Sequence, residues 1–408
     1  MKSILAGVLT GALTPFFCLA QAGQERNEPS PTPLTLEEVR CQGNTSTSCP
    51  FISGHLYLSP GDPIDEEEIR NAKLRLSALS NFKSVHVRLE KGLEKDRAIV
   101  VIEVSEASPI ATEIAVGTSL RNSGLSQNLA GRVSHQNVFG TGKIVDLEVG
   151  GRIPLDEPTQ RDFSTRLRYI DPKLFGSQKY FLVGGIFFQD SLYESKDGDS
   201  YSTEQLGVDL SLGRRIWDFS YVMAGYQHRP ISEITDHIVG PDWAIETRSD
   251  AHERVYHLGY GWNSEDDAYF PTRGSRFNTT LTWSSSDHHS VLFKTGLAYR
   301  TTWSTAKGTV WTFQFGGTPR TEYRPSLDED LAVSLAYARP LAASDALGGI
   351  ERGRWYIEPG FYSLGYSSYQ GVAADAGLKA GVRLESQSLG IIDLYAIATS
   401  DLSIGGDR

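Results

Sequence analysis

The chain has 408 residues, 39% hydrophobic and 22% charged, with 40 glycines and a formal net charge of -11. That balance excludes an intrinsically disordered chain and suits one large or two moderate domains. No block of lysine or arginine offsets the acidic total, so a nucleic-acid partner, which calls for a basic patch, is excluded as well.

The N-terminus carries Lys2, then a mainly apolar run, then Ala20-Gln21-Ala22, a small-x-small cleavage pattern. Residues 1–22 read as a signal peptide, which places the mature chain outside the cytosol, starting at Gly23. Cys18 sits beside Pro15, Phe16 and Phe17 and lacks the leucine and small neighbours of a lipidation site. No later run approaches the roughly 18 apolar residues of a membrane helix, so any membrane crossing is by a barrel. Residues 23–33 are polar and proline-rich, a linker.

From Leu34 to Val104 the pattern predicts strand, helix, helix, strand, strand, a small α+β domain. In the second helix Asp65 and Glu68 stand at capping-box spacing, and Ile69, Ala72, Leu76 and Leu79 recur at helical intervals. In the following strand Val85, Val87 and Leu89 alternate with His86, Arg88 and Glu90, one face packed and one wet. Cys41 and Cys49 are the cysteines left after signal cleavage, and in an oxidising compartment they are expected to pair as a disulfide. A metal-binding pair is the alternative, disfavoured because two cysteines fall short of the ligand set of a metal site.

From Ile110 onward strand follows strand with no helical stretch. Val145, Leu147, Val149 and Ile153 stand against Asp146, Glu148 and Arg152, while Leu378, Ala380, Val382 and Leu384 stand against Lys379, Arg383 and Glu385. A soluble sandwich and a membrane barrel both give this period of two. Secretion, strands of about 9 to 14 residues and aromatic residues near the strand ends favour an antiparallel transmembrane barrel of about 16 strands.

Four stretches of the first region carry a resemblance. Gly43-Asn44 follows the first strand, `GDPID` precedes the second helix, `LSNFKSVHV` leads into the second strand and `VIEVSEAS` closes the third. In that order they are similar to a POTRA domain, the periplasmic module that precedes the barrels of the BamA/TamA superfamily and the two-partner secretion transporters. The domains implied are 34–108 as a single POTRA domain and 109–408 as the barrel. Midway along the barrel, Asp267 (or Asp266), Pro271 and Gly274 resemble the Asp-x-x-x-x-Pro-x-x-Gly element of such barrels, although proline and glycine suit any tight hairpin. The family's lumen loop with an Arg-Gly-aromatic tip would correspond to Arg320 with Tyr323, and its inner-wall acid to Glu358. Thr321 and Glu322 replace the glycine, and the chain ends `LSIGGDR` without the aromatic terminal residue usual for outer-membrane strands.

The resemblance implies a bacterial outer-membrane protein, a bacterial surface antigen relative, that inserts or translocates polypeptide clients. The POTRA domain would lie in the periplasm and bind the client by strand addition, among outer-membrane lipid and accessory proteins. The alternatives are an outer-membrane pore with a tethered domain and a secreted soluble β protein. Neither an enzyme nor a cofactor is expected. `HERVYH` (His252 to His257) lacks the spacing of a zinc site, and `FGTGKI` lacks the Ser or Thr of a phosphate loop. `DHH` from Asp287 reads as a solvated loop, and no GxSxG elbow occurs.

Overall fold

The structure is a computed structural model. It describes residues 34–404 except for residues 80, 122–123, 156–158, 195–198, 218, 241–242, 268, 288–291, 322–328, 342–349, 368–370 and 387–388. The expected signal peptide and linker lie outside the described residues.

The first region folds as β1 (Thr35–Gln42), α1 (Cys49–Ser53), α2 (Glu66–Ser77), β2 (Phe82–Lys91) and β3 (Arg97–Glu106). The sheet order is β1-β3-β2, with β1 parallel and β2 antiparallel to the central β3. Asp65 caps α2 by accepting from the Glu67 N–H at 2.9 Å. Glu68 does not complete the expected capping box. It accepts from the Tyr57 N–H at 2.8 Å and pairs with Arg75, because the chain after α1 passes close to it. Both helices cover one face of the sheet, and Leu36, Phe51, Ile52, Leu76, Val100 and Ile102 form the core. Of the two sheet edges, β1 is covered, since Leu36 donates to Asp62 O and Ile64 to Leu34 O. The outer edge of β2 has no strand partner among the described residues, which leaves a row of backbone groups free for pairing.

The rest of the chain closes into a barrel. Its strands are β4 (Ile110–Arg121), β5 (Gly124–Val138), β6 (Lys143–Pro154), β7 (Thr159–Asp171), β8 (Tyr180–Glu194), β9 (Ser200–Trp217), β10 (Ser220–Gly240) and β11 (Trp243–Asn263). They continue as β12 (Gly274–Ser286), β13 (Leu292–Ser304), β14 (Val310–Thr321), β15 (Glu329–Leu341), β16 (Ile350–Ser367), β17 (Gly371–Ser386) and β18 (Gly390–Ile404). Fifteen strands among the described residues replace the expected sixteen or so. The parity has a consequence: β4 and β18 run the same way, so the closure is parallel while consecutive strands pair antiparallel.

The wall resolves the ambiguity of the alternating pattern. Leu147, Leu167, Leu210, Leu281, Ile357, Leu378 and Leu394 are exposed on its outside, while Asp146 and Asp393 are buried within. Apolar side chains spread this widely over an outer surface suit lipid, not water. Aromatic groups cluster on the wall. Trp311, Tyr337 and Trp355 pack in sequence near the domain-facing end, and Tyr226, Tyr256 and Trp283 pack in sequence further along the strands. No described helix is long and apolar enough to cross a membrane.

Candidate functional site

The α+β domain docks on one end of the barrel, at the turns after β5 and β7. Asn137 Nδ2 donates to Thr47 Oγ1 at 2.9 Å, and Ser48 N–H donates to Gly140 O at 2.9 Å. Gly142 has a φ of +71°, and a Cβ there would lie 2.0 Å from the Phe51 ring, so this turn requires glycine twice over, for its backbone and for the close approach. Asn81 Nδ2 donates to Gln136 O at 2.9 Å. Cys41 and Cys49 are joined by a disulfide that ties β1 to α1 beside this interface.

Between the domain and the barrel lies a cleft of about 710 Å³, lined on one side by Ser84 and Val85 of β2 and on the other by Ala111, Thr112, Gly390 and Ile391. These last four are the foot of the barrel seam. The seam register runs from Ile391↔Glu113 to Ala398↔Leu120, eight residues of the fifteen in β18. Beyond Ala398 the backbone of β18 stays paired with β17 as far as Ile404 and has no β4 partner in the described register. Parallel pairing is also slightly weaker per residue than antiparallel.

Each flank of the seam is tied to the strands beside it by charged side chains. On the β4 side, Arg132 bridges Glu113 at 3.1 Å and Asp146 at 3.2 Å, and Arg168 donates to the same Asp146, whose side chain is wholly buried. On the β18 side, Arg383 and the Tyr356 hydroxyl donate to Asp393 at 2.6 and 2.9 Å. Across the seam, Tyr395 lies against Gly117 so closely that a Cβ on Gly117 would come within 2.3 Å of the ring.

The Asp267, Pro271 and Gly274 element is more than a hairpin turn. Residues 264–267 and 269–273 leave the wall after β11 and reach toward β16. Asp266 accepts from Thr272 N–H at 2.8 Å and Arg273 N–H at 3.2 Å, while Asp267 accepts from Tyr269 and Phe270 N–H at 2.8 Å each. The loop is thus braced by its own carboxylates. Its far side reaches β16, where Arg352 donates to Asp267 Oδ2 at 2.6 Å and Arg354 donates to Tyr269 O at 2.9 Å and Pro271 O at 3.2 Å. Phe270 is buried, with both guanidinium groups over its ring at 4.6 and 5.0 Å. Burial by itself would raise the Asp267 carboxyl, but the hydrogen bond and charge of Arg352 hold it below the ordinary carboxylate range. Gly274 closes the neck at a φ of +107°, a backbone conformation that only glycine adopts without strain.

The remaining expected site residues are not brought together. Arg320 belongs to β14, opposite Lys294, instead of forming the tip of a lumen loop. Glu358 on β16 faces the wall of β14 and β15, accepting from Ser334 Oγ and from Gln314 Nε2 at 3.2 Å. Register through Tyr337↔Ile357 and Thr312↔Ala336 sets Glu358 level with Thr312. Arg320 is eight residues further along β14, about 26 Å. Tyr323 lies outside the described residues. Sequence reasoning missed Arg352 and Arg354, which read as ordinary members of an alternating strand. It also missed Glu265, which Arg300 holds with two bonds of 2.6 Å at the root of the loop. The signal available was a buried acid just ahead of a Pro-Gly turn, without its partner in the same segment. Among the described residues no cluster of His, Cys, Asp and Glu could hold a metal.

Comparison with known proteins gives one family match over part of the chain. The model of the Omp85 superfamily domain matches residues 137–332. The fold is similar to that of CdiB from Escherichia coli, with a TM-score of 0.58 at 12% identity, covering 87% of this chain and 70% of that one. It is similar as well to CdiB from Acinetobacter baumannii, with a TM-score of 0.57 at 11% identity, covering 87% and 68%. A structure of BamA from Haemophilus ducreyi lacking POTRA domains 1–3 aligns with a TM-score of 0.49 at 15% identity, covering 90% of this chain and 81% of that one.

Proposed function

We propose that the chain is an outer-membrane β-barrel of the Omp85 type, a reading supported by the family match over residues 137–332 and the similarity of fold, and that it inserts polypeptide clients into the outer membrane or passes them across it. The domain of residues 34–108 acts as a single POTRA domain in the periplasm. It takes the client as an added strand on the free edge of β2, by backbone hydrogen bonds. The observation that carries this reading is the placement of that edge. Ser84 and Val85 line the same cleft as the foot of the short parallel seam, so a client paired to β2 lies next to the weakest line of the barrel wall. The step is an exchange of hydrogen bonds, with no covalent chemistry and no cofactor. A passive pore is the competing reading. It calls for an open mouth, and Asp267, Tyr269 and Pro271 reach from the turn between β11 and β12 to Arg352 and Arg354 of β16.

Photoreactive residues placed one at a time from Ser84 to Leu89 in cells test the proposal. A discrete client band is expected, strongest at positions whose backbone faces outward from β2. A chain that crosslinks only to its own barrel at every position would remove the support for client handling.

A further inference from the structure

We propose that the turns after β5, β7 and β9 form a lipid anchor. Phe139, Phe175 and Trp217 enter the headgroup layer of the leaflet on the domain side, where Lys179 and Arg214 meet anionic phospholipid. The proposal rests on the reading of the barrel as a membrane protein and not on client handling.

Phe139 and Phe175 stand where their own chemistry does not favour them. In each turn a backbone bond closes over a Phe-Gly pair: Thr141 N–H donates to Val138 O over Phe139 and Gly140, and Ser177 N–H to Leu174 O over Phe175 and Gly176. All four central residues have positive φ, 57° and 71° in the first turn, 55° and 74° in the second. Such turns usually take Asn-Gly, because asparagine tolerates the left-handed backbone, whereas a bulky side chain is strained there. The rings gain no packing in return. Phe139 is 92% exposed and Phe175 88%. At the next turn Trp217 is 71% exposed, close to Phe219 at a φ of 64°. A strained residue with a bare ring is disfavoured twice in water, and its recurrence at neighbouring turns points to a surface outside the chain that takes the rings up.

The position of the turns says which surface that is. Val145 and Tyr169, paired across β6 and β7, and Leu212 on β9 are exposed on the outside of the wall, within a few residues of the tips. Rings just beyond an apolar band fall at headgroup level, where aromatic side chains are enriched. The charges agree. Lys179 and Arg214 are exposed in the same turns, with the Arg214 guanidinium 5.9 Å from the centre of the Tyr180 ring. Among the described residues neither has an ion pair, whereas nearby Lys143 is matched by Asp171 at 3.2 Å. Cations beside exposed aromatic rings suit an anionic lipid surface. The same turns carry the domain: Gly140 O accepts from Ser48, Gly142 seats Phe51, and Lys173 and Gln178 donate to Pro50 O and Phe51 O at 3.4 Å each. The anchor thus sets the footing of the domain at the membrane surface.

Benzoylphenylalanine, a photoreactive analogue of phenylalanine, placed singly at Phe139 and Phe175 of the full-length protein tests the anchor in vesicles of phosphatidylethanolamine and phosphatidylglycerol. Both positions should gain the mass of a phospholipid, as the wall position Leu210 does. Adducts should be several-fold more frequent than at Leu93, which is 91% exposed and lies beyond the far end of β2. At Phe175 phosphatidylglycerol should be taken in excess of its share of the vesicle, an excess that Lys179→Gln with Arg214→Gln removes. A second readout needs no photoreactive residue: brominated phospholipid should quench the part of the emission that Trp217→Phe removes. Adducts at Leu210 with none above the Leu93 level at Phe139 and Phe175, or a Trp217 emission that bromine leaves unquenched, would overturn the anchor. Adducts that merely follow the vesicle composition would overturn the headgroup preference. In cells, adducts to a second protein in place of lipid would overturn the choice of a membrane as the surface. Absence of lipid at Leu210 as well would instead sink the membrane reading, so the two failures are told apart.

Discussion

At the scale of single residues, the interface between domain and barrel holds one group whose protonation is costly. His55 lies fully buried in the α+β domain, edge-on to Phe51 with ring centroids 5.1 Å apart. Burial, reinforced by the charges of Arg215, Arg75 and Lys173, brings its pKa down to about 3. An unfolded or undocked His55 takes up its proton near its ordinary value of 6.5. Between those two values the unfolded state binds more protons, so stability is complete above about 6.5 and falls as pH drops toward about 3, by up to about 1.4 kcal/mol per pH unit. Proteolysis of the α+β domain in the intact protein should therefore speed up between pH 7 and pH 5. The substitution His55→Phe is expected to flatten that dependence, and an unchanged pH slope in the variant would assign it to other groups. Glu106 is no such group over this range. Its burial would raise it, but hydrogen bonds from Thr45, Thr47 and the Ser46 backbone bring it down to about 2, so it stays charged until far lower pH.

At the scale of elements, what a strand does depends on partners that its own sequence does not name. The β-α-α-β-β order, the covered face of the sheet and the alternation of the barrel wall were legible, because side-chain period and helix capping are local. The strand total and the direction of closure were not, since they depend on pairing between Ile391 and Glu113, residues at opposite ends of the barrel sequence. The reach of Asp267, Tyr269 and Pro271 to β16 was hidden for the same reason. Asp267, Pro271 and Gly274 were visible as a motif, yet their anchors, Arg352 and Arg354, lie some eighty residues away, where alternation makes every second polar residue look alike. Arg320 was misplaced because a loop was read where β14 continues. The seam offers the sharpest test at this scale. Gly117 has no room for a side chain beside Tyr395, whereas a Cβ on Gly131 meets nothing within 4 Å. Gly117→Val should force the ring away and weaken closure by about 1–3 kcal/mol, the usual cost of overpacking. Gly131→Ala is expected to leave the barrel unchanged. The temperature at which each barrel loses its compact gel mobility measures the difference, and equal temperatures would mean that Tyr395 does not hold the seam.

At the scale of the whole molecule, two units with separate cores meet over a small contact. The α+β domain buries Leu36, Ile52, Leu76, Val100 and Ile102 among themselves, while the barrel closes through its own strands from β4 round to β18. What joins them is mostly polar: the bonds of Thr47, Ser48 and Asn81, those of Lys173 and Gln178 to Pro50 O and Phe51 O, the Lys83–Glu351 ion pair, and Phe51 resting on Gly142. Contacts of that kind position a domain without being required for the fold of either partner. Deleting residues 35–106 should accordingly leave a heat-modifiable barrel in the outer membrane, with its melting temperature lowered by only a few degrees. Client handling should be lost altogether, because strand addition at β2 has no substitute on the barrel, whose longest unpaired stretches, β18 beyond Ala398 and β11 from Trp243 to His252, lie at the end remote from the docked domain. Gel mobility after heating, read beside a transport assay, separates the outcomes. A barrel that fails to assemble would make the docking contact part of the fold, and transport that persists without the domain would move the function from the β2 edge to the lumen.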